Sequence, residues 1–350
     1  MNETGLYWIG LDVADLTFDA AVARPGERAT AAAFKRLPAQ TFERTAEGVK
    51  ALAAWLETLM PGPGPLPARA VMEATGNYSI GLAALLSKAC PELRPAIANP
   101  ERTAAFRNSL GLRNKTDRLD ARALAFYGRD RQPEPYEPLS REQARLRELS
   151  RCREGLIASR TAHENQLAEV SSCPLVCKTL KAVIARLQKA IERLEKEMRR
   201  LIQAHPSLGA DYELLTTIPG VGFVTAAVVL AEAGDLRRFG KARQATAYAG
   251  LTPRHSQSGK NSSPGRMSKK GNGRMRRALY LAAVSAITYN PPLAALYRRL
   301  VAEGKKPMVA LGAVMRKLLV QMWAIVNSGK PFHAGGKPRK NFKLQLQKTP

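Results

Sequence analysis

Leu6-Tyr7-Trp8-Ile9-Gly10-Leu11-Asp12-Val13 is a short apolar run with a carboxylate near its end. Such a run reads as a strand. Working outward, residues 17–23 and 32–37 read as two further strands, and Val49, Leu52 and Leu56 mark one face of a helix. The Pro/Gly run at residues 61–67 breaks that helix. Residues 68–72 follow as a buried-looking strand, and Glu73 ends it in Val71-Met72-Glu73-Ala74-Thr75-Gly76. A helix over 79–88, a strand over 95–98 and a helix opening after the N-cap Thr116 complete the region. Three strands, helix, strand, helix, strand, helix is the order of an α/β domain.

That order is compatible with an RNase H-like sheet, although pattern alone leaves other α/β folds open. Asp12 and Glu73 both end apolar strands, and a second pair of acids lies in Thr116-Asp117-Arg118-Leu119-Asp120-Ala121-Arg122. Asp117 and Asp120 are three apart, so a helix carries both on one face. If the first and fourth strands are neighbours and the last helix packs across them, all four acids converge. Four carboxylates in one pocket repel one another unless cations neutralise them, and hard oxygen ligands favour Mg2+ or Mn2+. Two ions about 3.5–4 Å apart would serve an in-line phosphoryl displacement. Singly, each acid has a plain structural account, as a solvated turn residue or as a complement to a helix dipole. Together, in so basic a chain, they point to phosphodiester chemistry.

The formal charge is +26, from 55 Lys plus Arg against 29 Asp plus Glu. This excess calls for a polyanionic partner, and nucleic acid outranks a membrane surface because no strongly basic amphipathic terminal helix is present. Apolar runs such as residues 278–287 fall short of the roughly 20 residues of a spanning helix, so no membrane is expected. A composition of 45% hydrophobic and 24% charged residues excludes fibrous and disordered classes. No basic segment followed by an apolar one opens the chain, which sets the expectation of a cytoplasmic, bacterial, nucleoid-associated protein. Cys90, Cys152, Cys173 and Cys177 are too few and too irregular for a disulfide framework, and no histidine near Cys173 and Cys177 completes a zinc site.

From 141 to 205 the chain is charged and helical. Leu180, Val183, Leu187, Ile191, Leu194, Met198 and Leu201 follow alternating spacings of three and four, the seam of a coiled coil or helical hairpin, and Cys173-Pro174 suggests a turn between two antiparallel arms. A solvated helical spacer is the plainer alternative. A second helical domain follows, with a Lys/Gly/Pro-rich tail after Gly329. Within it, Pro219-Gly220-Val221-Gly222 joins two helices and resembles a helix-hairpin-helix element, whose backbone N–H groups at Gly220 and Gly222 suit a phosphate; a tight glycine turn explains it equally. Between Arg237 and Arg277 lie twelve Lys or Arg and no acid. Such a stretch repels itself without a polyanion. Residues 256–265 read there as a loop, and a serine among these cations could attack a phosphodiester or simply hydrogen-bond a phosphate. Chemistry alone does not choose among its serines.

Ile9-Gly10-Leu11-Asp12, Glu73-Ala74-Thr75-Gly76, Leu112-Arg113-Asn114-Lys115-Thr116-Asp117, Asp120-Ala121-Arg122, Ile218-Pro219-Gly220-Val221-Gly222, Ala249-Gly250-Leu251-Thr252-Pro253-Arg254 and Arg266-Met267-Ser268-Lys269 together resemble the "IS one-ten" insertion-sequence transposases. These are the DEDD transposases, which include bridge-RNA-guided recombinases. The resemblance runs from residue 5 to about 335. It implies an α/β RNase H-like (RuvC-like) DEDD catalytic domain at 1–140, an α-helical coiled coil at 141–205, a mainly α transposase domain with a catalytic serine loop at 206–335, and a basic tail at 336–350. Asp12, Glu73, Asp117 and Asp120 become catalytic ligands of magnesium or manganese, two ions to a site. The Ser-Gly pair after Thr-Pro-Arg makes Ser258 the nucleophile, although Ser256, Ser262 and Ser263 crowd it. Implied partners are donor and target DNA, a noncoding bridge RNA, and further protomers in a dimer or tetramer joined through the coiled coil. Residues expected to contact nucleic acid are Arg113, Lys115, Gly220, Gly222, Arg254, Lys260, Arg266, Lys269, Lys270, Arg274, Arg276 and Arg277. The expected activity is excision and integration of an insertion sequence by strand cleavage and exchange. A Holliday-junction-resolvase-like metal nuclease using activated water is the enzymatic alternative, and an architectural nucleic-acid-binding protein the non-enzymatic one.

Overall fold

The computed structural model describes residues 5–60, 67–110, 117–170, 172–258 and 261–333, with backbone alone at 31, 32, 117, 254–258 and 261–266. The chain divides into two compact units at Pro138/Leu139. The first holds strands β1 (Tyr7–Val13), β2 (Thr17–Ala23), β3 (Ala39–Glu43), β4 (Ala68–Glu73) and β5 (Ala96–Ala98). Their sheet order is β3-β2-β1-β4-β5, with β1–β2 and β2–β3 antiparallel and β1–β4 and β4–β5 parallel. A mixed sheet of this order is consistent with an RNase H-like domain.

Helices cover both faces. Ile9, Leu11, Val13, Ala70 and Met72 pack against α2 (Ala46–Leu59) and α3 (Asn77–Ala89), while Trp8 and Val71 pack against α5 (Asp117–Arg131). Burial on both faces is why β1 reads as a nearly continuous apolar run rather than an alternating one. Gly10 fixes the distance of α5. A Cβ there would lie 2.0 Å from the Ala121 carbonyl oxygen and 2.2 Å from the Ala125 nitrogen, so only glycine lets the helix lie directly on the strand.

Two expectations for this unit are corrected. Residues 32–36 belong to a helix, α1 (Ala31–Arg36), which Leu37 caps, because the Thr30 hydroxyl accepts the Ala33 N–H and the run is rich in alanine, a strong helix former. The third strand is β3, just beyond. A helix absent from the sequence reading, α4 (Pro100–Ser109), starts where Asn99 caps the Glu101 N–H and Pro100 takes the first turn.

The second unit begins with α6 (Arg141–Glu169) and α7 (Pro174–Ala204), two long arms packed side by side. Arg145–Glu197 and Arg153–Glu195 pair across them at 2.6 and 2.7 Å, which makes the arms antiparallel. The expected seam faces inward: Leu180, Ile191, Met198 and Leu201 are buried, and Val183, Leu187 and Leu194 half-buried. Helices α8 (Pro206–Thr216), α9 (Phe223–Ala233), α10 (Ala242–Tyr248), α11 (Gly273–Tyr289), α12 (Pro291–Ala302) and α13 (Pro307–Ser328) share one core with the near ends of these arms.

Residues 256–258 and 261–265 are not the loop their composition suggests. Strands β6 (Pro253–Ser258) and β7 (Asn261–Met267) pair antiparallel, and Gly259 and Lys260 lie outside the described residues. Helix α13 exceeds the apolar runs singled out in the sequence and is long and apolar enough to cross a membrane. Half of that stretch is buried inside the unit, where Leu311, Val314, Leu318 and Met322 face other helices, so it is a core helix.

Candidate active site

Period-two alternation decides which acids meet. Trp8 and Val71 face α5, so Asp12 and Glu73, at even spacing from them, stand on the same side of the sheet. Parallel pairing of β1 with β4 brings both acids to carboxyl ends of neighbouring strands, where open α/β sheets build their sites. Asp120 comes from the first turn of α5. These three acids line one cavity of about 350 Å³ together with Asp19, Thr75, Thr103 and Arg107. The side chain of Asp117 lies outside the described residues.

Asp19 was not a sequence candidate. It is the register partner of Asp12 across the β1–β2 pair, accepts a hydrogen bond from Thr41 Oγ1 at 2.5 Å, and lies 3.9 Å from Arg118 Nε. The signal was available, since two strands separated by three residues at a hairpin place Asp19 beside Asp12.

Helix α4 supplies the rest of the wall. Arg107 Nη1 donates to Asp120 Oδ1 at 2.7 Å, and Thr103 Oγ1 donates to Glu73 Oε2 at 2.7 Å. The hydrogen bond to Asp120 and that acid's charge hold the Arg107 pKa above its ordinary value against the opposing pull of burial, and Glu73 and Asp12 add to the effect. One guanidinium therefore sits in the field of three carboxylates. Among the described residues no three acids, histidines or cysteines stand close enough together to hold a metal ion in this arrangement. The donor chemistry nevertheless suits a hard divalent cation. Four carboxylates, Asp12, Asp19, Glu73 and Asp120, line one cavity, the buried Thr75 hydroxyl in its wall has no hydrogen-bond partner among the described residues, and Arg107 marks where positive charge is already drawn.

Two family models match the chain. Residues 9–170 match the DEDD transposase model of the IS110 group, described as "Transposase", and residues 212–298 match "Transposase IS116/IS110/IS902 family". The pilin gene-inverting protein of Moraxella bovis is 32% identical over 335 residues, covering 93% of this chain and 97% of that protein. Its namesake in Moraxella lacunata is 31% identical with the same coverage. The transposase for insertion sequence element IS1111A of Coxiella burnetii is 24% identical over 299 residues, 76% of this chain and 79% of that one. The chain belongs to the IS110 family of transposases. It is accordingly a DNA transposase or recombinase, and the first match encloses all four acids singled out in the sequence.

The remaining site candidates of this transposase fall in its second unit or outside the described residues. Arg113, Lys115 and Lys260 lie outside them, and Ser258, Arg254 and Arg266 are described by backbone only, Ser258 opposite Asn261 and Arg254 opposite Arg266. Gly220 and Gly222 occupy the α8–α9 turn. Gly220 has φ +94° and its missing Cβ would meet Ala286 at 2.7 Å, so packing on α11 already requires glycine there. Lys269 and Lys270 are exposed, and Arg276 donates to the Ala249 carbonyl at 3.0 Å.

The basic stretch does not depend on a polyanion alone. Arg274 and Arg277 both clasp Glu154 on α6, the former at 2.7 Å, and Arg237 makes a two-pronged pair with Asp211 on α8 at 2.7 and 2.8 Å. These partners are distant in sequence, which is why the stretch looked uncompensated. Beneath it, Arg151 pairs with the buried Glu232 through bonds of 2.8 and 3.0 Å, and Asn272, the N-cap of α11, donates to the same carboxylate at 2.8 Å. This network ties α6 to α9 and to the start of α11.

Proposed function

We propose that this transposase excises and integrates an insertion sequence by cleaving and exchanging DNA strands, acting in the bacterial cytoplasm on nucleoid DNA, with sites chosen by base pairing to a bridge RNA. The observation that carries the reading is the convergence of Asp12, Glu73 and Asp120 on one cavity at the carboxyl edge of the sheet. In this reading residues 1–140 are the catalytic domain, 141–205 a coiled coil joining protomers into a dimer or tetramer, 206–335 the serine domain, and 336–350 a basic tail. The charge of +26 supports backbone contact with DNA and RNA, and delegating sequence choice to base pairing asks little else of the protein. Arg113, Lys115, the turn at Gly220 and Gly222, and the cations around the β6–β7 pair are the proposed phosphate contacts.

Asp12, Glu73, Asp117 and Asp120 would hold Mg2+ or Mn2+, as two ions. Bound there, divalent metal supplies Lewis-acid polarisation of a phosphoryl oxygen. The Ser258 hydroxyl attacks phosphorus. A phosphoserine ester forms as the bond to the departing DNA oxygen breaks, and the serine proton ends on that oxygen. A second strand's hydroxyl then reverses the step, which rebuilds a phosphodiester and returns the proton to Ser258. Each ester broken is replaced by another, so no external energy source is required. The Moraxella bovis relative is named for inverting a pilin gene, and inversion likewise requires that every cut strand be rejoined.

The test is to co-express the protein with the DNA flanking its gene, sequence any RNA that copurifies, and assay strand exchange with that RNA. A discrete flanking transcript, a covalent protein–DNA adduct in the wild type but not in Ser258→Ala, and loss of exchange in Asp12→Asn with DNA binding retained are the expected results. Cleavage that survives Ser258→Ala without an adduct would replace this reading with the metal-nuclease alternative.

A further inference from the structure

Next to the acidic cavity the protein exposes two side chains that its own fold does not need. Leu16, in the three-residue connection between β1 and β2, is 78% exposed, and Tyr78, in the first turn of α3, is 41% exposed. Chain neighbours of both line the cavity: Ala14 and Thr17 on either side of Asp15-Leu16, and Thr75 just before α3.

Arg44 binds the two together. Its Nε donates to the Asp15 carbonyl at 2.7 Å, an Nη donates to the same oxygen, its guanidinium pairs with the Asp15 carboxylate at 3.6 Å, and its backbone N–H donates to the Leu16 carbonyl at 2.8 Å. The same guanidinium lies over the Tyr78 ring, 4.9 Å from its centroid. The Ala14 N–H to Thr17 carbonyl bond, 2.9 Å, closes the connection from within. So Leu16 is an apolar side chain held out toward water on a pinned turn, and Tyr78 is an aromatic face backed by a cation. Leaving leucine exposed forgoes the free energy its burial would bring, and nothing inside the unit recovers it.

We propose that Leu16, Tyr78 and Arg44 form a rim that holds an unpaired nucleobase beside the scissile phosphate, Leu16 wedging a base step open and Tyr78 stacking the base it releases. The inference rests on the reading of the cavity as the phosphodiester site. The occupant follows from that site, because a strand whose phosphate enters the cavity must carry its neighbouring base past the rim. Rigid apolar wedges open base steps, and aromatic faces bind unstacked bases of any sequence.

The experiment compares the full-length protein on two fluorescent DNA probes, a fully paired duplex and the same duplex with three mispaired steps at its centre. Wild type is expected to bind the mispaired probe more tightly. Tyr78→Ala and Leu16→Ala are expected to lose about tenfold on that probe while their duplex affinity stays within about twofold, and Tyr78→Phe to keep the preference. Thermal unfolding establishes that each variant folds. Equal binding of both probes by wild type, or variants indistinguishable from it, overturns the rim and leaves the cavity's role standing. Failure of wild type to bind either probe overturns both.

Discussion

Replacing Arg107 by methionine removes the cation that contacts Asp120 in the cavity and keeps most of its bulk. The guanidinium lies 2.7 Å from Asp120, and the two side chains are 28% and 15% exposed. At that distance and an effective dielectric constant near 20 the gross attraction is about 6 kcal/mol, most of which offsets desolvation of the two groups. Removing one partner leaves Asp120 with Asp12 and Glu73 in the same cavity, so a net loss of about 2–4 kcal/mol is expected without divalent metal, below the full cost of breaking a deeply buried pair. For a unit of this size that is roughly 6–12 °C in Tm. With Mg2+ the gap should narrow. Arg107 competes with metal for Asp120, so Arg107→Met should bind Mg2+ about tenfold more tightly, a gain of about 1.4 kcal/mol, and recover at most that much of the lost stability. Thermal unfolding with and without Mg2+, alongside calorimetric titration of the metal, reads both effects without any turnover. Equal destabilisation in both conditions with unchanged metal affinity would show that Arg107 only packs. Weaker metal binding would show that it assists the metal rather than standing in for it.

Gly10→Val should displace α5 and with it Asp120, because a Cβ at residue 10 would lie 2.0 Å from the Ala121 oxygen; a loss of more than about 3 kcal/mol in urea unfolding is expected, and wild-type stability would refute the close approach. Burial pushes the Glu232 carboxyl up, but hydrogen bonds from Arg151 and Asn272 outweigh it and hold the group below the usual carboxylate range. Its contribution to stability is then complete above the unfolded value near about 4.3 and is lost as pH falls through the lower folded value; urea titrations between about pH 6 and pH 3 should show this slope in wild type and a flatter one in Glu232→Gln. Glu154→Gln frees Arg274 and Arg277 from their shared acid, so duplex affinity should rise and the salt dependence steepen by about one to two counterions. No change in either quantity would mean that these arginines face away from DNA.

The sequence was most legible where an element announces itself by its own residues. Asp12 and Glu73 end runs buried on both faces, and Asp120 sits one helical turn into an amphipathic segment, so their convergence needed only the neighbour relation of β1 and β4, which the structure supplies. The seam of α7 was readable for the same reason, since spacing alone aims Leu180, Ile191 and Met198 at α6. The misread segments are those where tertiary pairing overrides composition. The serine-rich run at 256–265 carries turn formers throughout, yet two polar strands can pair by backbone alone, so composition missed the strands at 256–258 and 261–265. Residues 32–37 went the other way, because an apolar segment this short does not separate strand from helix until Thr30 is recognised as a cap.

Arg107 and Thr103 were invisible for a different reason. Nothing in α4 marks it as part of a site: it carries one acid, Glu101, and two bases, Arg102 and Arg107, and it lacks an apolar stripe. What matters is that Asn99 and Pro100 start the helix directly after β5, whose neighbour β4 ends on Glu73. The helix must then leave from the same edge of the sheet as the acids, and a residue one turn along it reaches Glu73 while one two turns along reaches Asp120. A site in such a sheet is therefore built from whatever follows the carboxyl ends of the parallel strands. The chemistry of that edge selects a cation there even where sequence pattern shows none, because the four acids that line the cavity need positive charge among them whether or not metal is bound.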